Sequence, residues 1–222
     1  MQSGVKAGRF NGEIKAVVFD AFGTLVQIRK QYRPYLHLLK QLRAAGRVPQ
    51  PNDSVQVMSN DVDLAGALRM FNWDLPSSSI AELEADLQSE LSNIQLYPDV
   101  SATFVSLRSN GLKIGICSNL AAPYAPVVKK LMPFELDAYA WSFEVGAVKP
   151  QKEIYQHVCA LLKCRPSQVV MIGDTLEADC VAPNRYGMRG FHLTRDGKKS
   201  SEQCLTGIDD ILMVLGIDPG ND

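Results

Sequence analysis

The sequence predicts an α/β protein: a parallel sheet with helices on both faces, plus a small all-helical block inserted after the first strand. Three observations carry this. Short runs rich in β-branched residues alternate with amphipathic stretches through most of the chain. The block from about Lys30 to Ile94 shows helical spacing only. Three apolar runs end in polar residues, as parallel strands do where they empty into loops at one rim of a sheet.

The first run is 14–19, closed by Asp20 and then Gly23 and Thr24. In the block that follows, Leu36, Leu39 and Leu42, then Val62, Ala65 and Leu68, recur at helical spacing, with Pro49 and Pro51 between helices. Residues 79–82 read as a capping box opening a helix through Ile80, Leu83, Leu87, Leu91 and Ile94, and no strand is expected here. After Tyr97-Pro98-Asp99 a helix through Val100, Phe104 and Leu107 stops at Gly111. Strand 113–117 ends at Ser118-Asn119, and 138–143 is a further strand. A helix after Lys149-Pro150 carries Ile154, Val158, Leu161 and Leu162. Strand 168–172 ends at Gly173-Asp174, strand 189–194 follows, and a short helix at 208–215 is the last element expected. The expected organisation is a flexible polar lead at 1–13, an α/β core at 14–28 and 96–222, and a helical cap at 29–95.

Composition narrows the function. With 23 basic against 24 acidic residues in 222, the net charge is −1, which argues against binding nucleic acid through phosphates or a membrane through a polybasic patch. The longest uncharged stretch, 114–128, contains Asn119, Pro123 and Pro126 and is too short and polar to span a bilayer. Residues 1–13 show no apolar block after Lys6 and Arg9, so no secretory signal is expected. Five cysteines, an odd number without a Cys-x-x-Cys pair, fit reduced thiols in a cytoplasmic protein. The expected partner is a small anionic molecule, handled by a monomer or homodimer.

Taken singly, Asp20, Ser118, Lys149 and Asp174 have ordinary explanations as turn residue, helix cap, solvated charge and N-cap. Together they matter, because parallel topology gathers strand ends at one rim. Two carboxylates, a hydroxyl and an ammonium there would form a reaction site. The segments Asp20-Ala21-Phe22-Gly23-Thr24-Leu25, Ser118-Asn119, Lys149-Pro150 and Gly173-Asp174-Thr175-Leu176-Glu177-Ala178-Asp179 follow in this order. On them the chain resembles the haloacid dehalogenase superfamily of hydrolases, over about residues 14–194. The resemblance implies a Rossmann-like core with the helical block as its cap.

It also implies roles. Asp20 would be the covalent nucleophile. Backbone N–H groups of Ala21, Phe22, Gly23 and Thr24 would cradle an anion. Ser118 would bond a substrate oxygen, with Asn119 shaping the same loop, and Lys149 would offset the charge of Asp20 and of the substrate. Mg²⁺ would be held by Asp20, the main-chain carbonyl of Phe22 and Asp174, with Asp179 supporting the acidic loop or the metal's water shell.

One position departs from the phosphatase pattern. Where phosphatases of this superfamily carry a second Asp, this chain has Phe22, which cannot move a proton, and general acid–base catalysis contributes about 10²–10⁴-fold. A leaving group that departs unprotonated is therefore expected. The dehalogenase branch also places an aromatic there, and Tyr155, six residues after Lys149, falls where those enzymes keep a Tyr. Yet they are metal-free, with neutral residues in the segment that here holds Asp174 and Asp179. The readings are thus a Mg²⁺-dependent hydrolase of small activated phosphates, a metal-independent 2-haloacid dehalogenase, or a binding member without activity. A Schiff-base variant would need Lys30 or Lys40, which are expected on solvated helix faces. His37, His157 and His192 lack ligand spacing. Cys117 and Trp73 are expected to pack.

Overall fold

The computed structural model describes residues 13–197 and 203–218, so nearly all of the expected lead, 1–13, lies outside the described residues. The chain opens with β1 (Ala16–Phe19), whose side chains are wholly buried, and turns into the short β2 (Val26–Ile28). Four helices follow: α1 (Pro34–Ala44), α2 (Asp53–Met58), α3 (Leu64–Met70) and α4 (Ser77–Leu91). The chain returns through β3 (Ile94–Leu96) to α5 (Val100–Ser109), β4 (Lys113–Ser118), a 3-10 turn (Ala122–Tyr124) and α6 (Ala125–Leu131). Then come β5 (Ala138–Trp141), α7 (Ser142–Val145), α8 (Lys152–Leu162) and β6 (Val169–Gly173). A π-helical turn (Leu176–Val181), α9 (Ala182–Tyr186), β7 (Arg189–Leu193), β8 (Cys204–Leu205) and α10 (Asp210–Leu215) complete it.

Six strands form one all-parallel sheet in the order β5-β4-β1-β6-β7-β8. Alternation along β1 sends Val17 and Phe19 into the larger core with α5, α6 and α10, and Ala16 and Val18 into a second core with α8. The parallel sheet with helices on both faces is therefore as expected. β1 is central, with β4 on one side and β6 on the other, so the topological switch that opens a crevice in such sheets lies at its carboxyl end. Register sets the height of that rim: Phe19 is level with Ile116 and with Ile172, which lifts Ser118 and Asp174 two residues above it.

The helical block departs from expectation in detail. β2 and β3 pair antiparallel, Val26 with Leu96 and Ile28 with Ile94, and form a two-stranded ribbon at its base. Ile94 belongs to this ribbon and not to α4, which ends at Leu91; with Ile94 buried and Gln95 exposed, the residues follow strand alternation. The expected capping box does not form, because α4 starts earlier, at Ser77 directly after Pro76. In α1 the buried positions are Pro34, Leu38 and Leu42 while Leu36 is exposed, and in α3 they are Leu64, Gly66, Ala67 and Leu68, with Val62 ahead of the helix. β5 stops at Trp141, two residues short of its expected end, because Ser142 turns into α7.

Candidate active site

Asp20 is the first residue beyond β1, its N–H donating to the Ile172 carbonyl at 2.8 Å. The turn behind it folds on one acceptor: the N–H groups of Thr24, Leu25 and Val26 all donate to the Ala21 carbonyl, and Gly23 N–H donates to Val26. Of the four donors expected to cradle an anion, Gly23 and Thr24 are thus spent inside the turn. The N–H groups of Ala21 and Phe22 meet no acceptor among the described residues. Gly23 lies at φ 73°, a left-handed conformation that favours glycine, and the Asp174 carboxylate stands 2.0 Å from where a Cβ would be.

Lys149 is buried beside Asp20. Its ammonium lies 2.9 Å from Asp20 Oδ1 and 2.6 Å from Asp179 Oδ1. Burial opposes its charge, but the two carboxylates outweigh that and hold Lys149 well above the ordinary lysine value. Its backbone is fixed by Asn119: Lys149 N–H donates to Asn119 Oδ1 at 2.7 Å, and Asn119 Nδ2 donates to the Lys149 carbonyl at 2.9 Å. Asn119 therefore shapes the Lys149 loop through both ends of its amide, and it also lines the cleft. Ser118, one residue earlier, is buried at the end of β4 and does not line the cleft.

The acidic loop contributes from the other side. Asp174 stands at the rim, where partial loss of water around its carboxyl, together with the nearby Asp20, raises its pKa. Asp179 is fully buried, one oxygen on Lys149 and the other accepting Thr175 N–H at 3.0 Å. Burial lifts its pKa to about 6 against the pull of Lys149. The π-helical turn makes room for this geometry, and Gly173 is needed because a Cβ there would meet Asp179 Cγ at 2.3 Å. Tyr155 anchors the turn from below, donating its hydroxyl to the Ala178 carbonyl at 2.5 Å; it is 1% exposed and so packs, well away from solvent. Oxygens of Asp20, Asp174 and Asp179 all lie within 4.8 Å of one another. Asp20, Lys149 and Asp174 line a cleft of about 410 Å³ together with Phe22, Asn119, Pro150, Thr175 and Glu177, while Asp179 lies buried behind it.

A family model for haloacid dehalogenase-like hydrolases matches residues 14–187, most of the chain and all four motif segments. The chain is a haloacid dehalogenase-like hydrolase. It is 30% identical over 115 residues to the ribulose-1,5-bisphosphate 5-phosphatase of Halopiger xanaduensis, covering 51% of this chain and 48% of that one. This hydrolase spans about half the length of that curated relative and of the glyceraldehyde 3-phosphate phosphatases of Methanothermobacter thermautotrophicus and Methanopyrus kandleri, which it also matches. Among solved structures it superposes on a haloacid dehalogenase-type phosphatase from Thermococcus onnurineus with a TM-score of 0.64 at 24% identity, covering 93% of this chain and all of that one. A dehalogenase structure aligns with a TM-score of 0.63 at 19% identity, covering 91% and 97%.

Two features of the hydrolase's site were not legible in its sequence. The Phe22 ring stands edge-on to Tyr124, centroids 5.6 Å apart, so the residue in place of a second Asp packs into a wall of the cleft. Tyr124 in turn donates its hydroxyl at 2.7 Å to Glu90, a buried carboxylate of α4. Neither Tyr124 nor Glu90 belongs to a motif, and on a helix Glu90 reads as a solvated charge until the packing is known. Cys117, beneath Lys149, has its thiol pushed up to about 12 by burial and is no nucleophile. His192 sits beside the acidic loop, its Nε2 3.0 Å from the Asp174 carbonyl oxygen, while Lys30 and Lys40 are exposed. Trp73 packs against the core. Among the described residues no helix is long and apolar enough to cross a membrane.

Proposed function

We propose that this hydrolase is a Mg²⁺-dependent phosphatase acting on small, activated phosphates, with Asp20 as covalent nucleophile. The observation that carries the reading is an excess of carboxylate. Asp20, Asp174 and Asp179 crowd within 4.8 Å with one ammonium, Lys149, set among them. A phosphate entering that cleft would be repelled unless a cation entered with it. The donors are hard oxygens, which suits Mg²⁺, and burial followed by the charge of Asp20 raises the pKa of Asp174. Relatives named as phosphatases support phosphorus as the electrophile.

Mg²⁺ bound by Asp20, Asp174 and the Phe22 carbonyl would neutralise charge on the transferring phosphoryl group. The chain's own residues do the rest. Lys149 holds Asp20 Oδ1, which leaves Oδ2 to attack phosphorus and displace the leaving group, giving an aspartyl phosphate that water then hydrolyses. Ala21 and Phe22 offer N–H donors to the phosphoryl oxygens. Phe22 cannot protonate a leaving oxygen, so the leaving group must depart as an anion. The test is turnover of acetyl phosphate and p-nitrophenyl phosphate against glycerol phosphate, with and without chelator. We expect the first two to be hydrolysed, the third about 10²-fold more slowly, and all activity to stop on chelation. Equal rates on all three, or rates indifferent to chelator, would sink the reading.

Phe22 alone favours a second reading, displacement of halide from a 2-haloacid by Asp20, since halide needs no proton. Halide release from 2-chloropropionate in the presence of chelator would support it, and its absence across pH 6–10 would end it.

A further inference from the structure

Arg195, in the loop after β7, reaches three residues on two segments far apart in the sequence: Thr24 on one, Tyr97 and Asp99 on the other. Its Nη1 lies 3.0 Å from Asp99 Oδ2 and its Nη2 3.2 Å from Asp99 Oδ1, a two-pronged pair. Nη2 also donates to the Thr24 carbonyl. The guanidinium lies over the Tyr97 ring, 3.6 Å from its centroid. Asp99 is tied further by the Ile208 N–H at 3.0 Å, and Tyr97 N–H donates to the Leu25 carbonyl at 2.9 Å. Thr24 is where the chain leaves the Asp20 turn for β2, and Tyr97 is where it returns from β3. One side chain of the core therefore grips both roots of the ribbon that carries the helical block. It does so at the turn that orients Asp20.

We propose that Arg195 is a positioning residue: it holds the Asp20 turn and both roots of the β2–β3 ribbon in one register, so that a shift of the helical block is felt at the nucleophile. This rests on Asp20 acting as proposed above. The three contacts need a planar fork with a stacking face, which Lys lacks, so Arg195→Lys should fail along with Arg195→Gln.

The experiment compares both variants with wild type and with Arg108→Gln, which breaks the partly exposed pair between Arg108 on α5 and Asp137 ahead of β5. Amide hydrogen exchange, read without substrate, should accelerate about tenfold at 20–28 and 94–100 together, with 169–173 unchanged. On acetyl phosphate kcat should fall roughly 10–10²-fold with KM changed far less, as misplacement of a reacting group does. Acceleration throughout the molecule, acceleration at one root only, a wild-type-like Arg195→Lys, or a kcat loss no larger than that of Arg108→Gln would each overturn the proposal. Exchange is independent of turnover, so a wild type that hydrolyses no phosphate removes the phosphatase reading while the register claim is still decided by exchange.

Discussion

Lys149 pairs with two carboxylates at once, from a position 5% exposed, and this makes it structural as well as functional. Removing one partner of a buried ionic cluster leaves the others uncompensated, at about 3–5 kcal/mol. We expect Lys149→Met to lose that much in urea unfolding, and Lys149→Met with Asp179→Asn to regain a good part of it while staying inactive. Phe22 offers a test in the opposite direction. Phe22→Asp restores a proton carrier facing the cleft, and turnover of glycerol phosphate relative to acetyl phosphate should rise by about 10²-fold. An unchanged ratio would show that position 22 does not reach the leaving group. Most of this site was readable beforehand, because Asp20, Asn119, Lys149 and Asp174 each end a strand or a loop at the same rim. What could not be read was which donors are spent. Gly23 and Thr24 point their N–H groups inward, and only the folded turn reveals it.

Among the elements, the sheet was legible because β1, β4 and β6 are fully apolar between polar ends, whereas β2 and β3, three residues each, were too short for periodicity to register. Their pairing depends on partners about 70 residues apart, which no local pattern encodes. The start of α2 illustrates a stabilising device of the same hidden kind. Asp53, nearly buried, accepts both prongs of Arg47 at 2.6 and 2.7 Å and the Gln50 N–H at 2.9 Å, with Arg47 lying over Phe71. The hydrogen bonds from Arg47 hold the Asp53 carboxyl below its usual pKa. A depressed carboxyl stabilises above its unfolded pKa and loses that contribution as pH falls through the folded value. Asp53→Asn should therefore cost about 1.5–3 kcal/mol at pH 7, and the gap between the two proteins should narrow as pH falls below the ordinary carboxylate range. Urea midpoints from pH 7 to 2.5 would check it; parallel curves for the two proteins would contradict it.

At the scale of the molecule, side chains of the core bond directly to the helical block. The Tyr124 hydroxyl donates to Glu90 at 2.7 Å and the Ser142 hydroxyl to the Met58 carbonyl at 2.6 Å, while within the block Glu90 also accepts the N–H groups of Tyr32 and Arg33 at 2.5 and 2.7 Å. Glu90→Gln keeps the shape but replaces an ionised acceptor, weakening charge-assisted bonds that hold the left-handed Arg33 and the ring behind Phe22. We expect a loss of about 1–3 kcal/mol and a KM increase exceeding any change in kcat, measured by thermal unfolding and steady-state rates. A kcat effect alone would deny Glu90 its part in shaping the wall of the cleft. The antiparallel pairing of Val26 with Leu96 has a wider consequence. It brings the two ends of a long excursion within one strand spacing of each other, so the core closes whatever length of chain lies between them, and the entropy of that closure grows only as the logarithm of the length. A longer or shorter excursion beyond that clasp would therefore change the cost of closing the core only slightly.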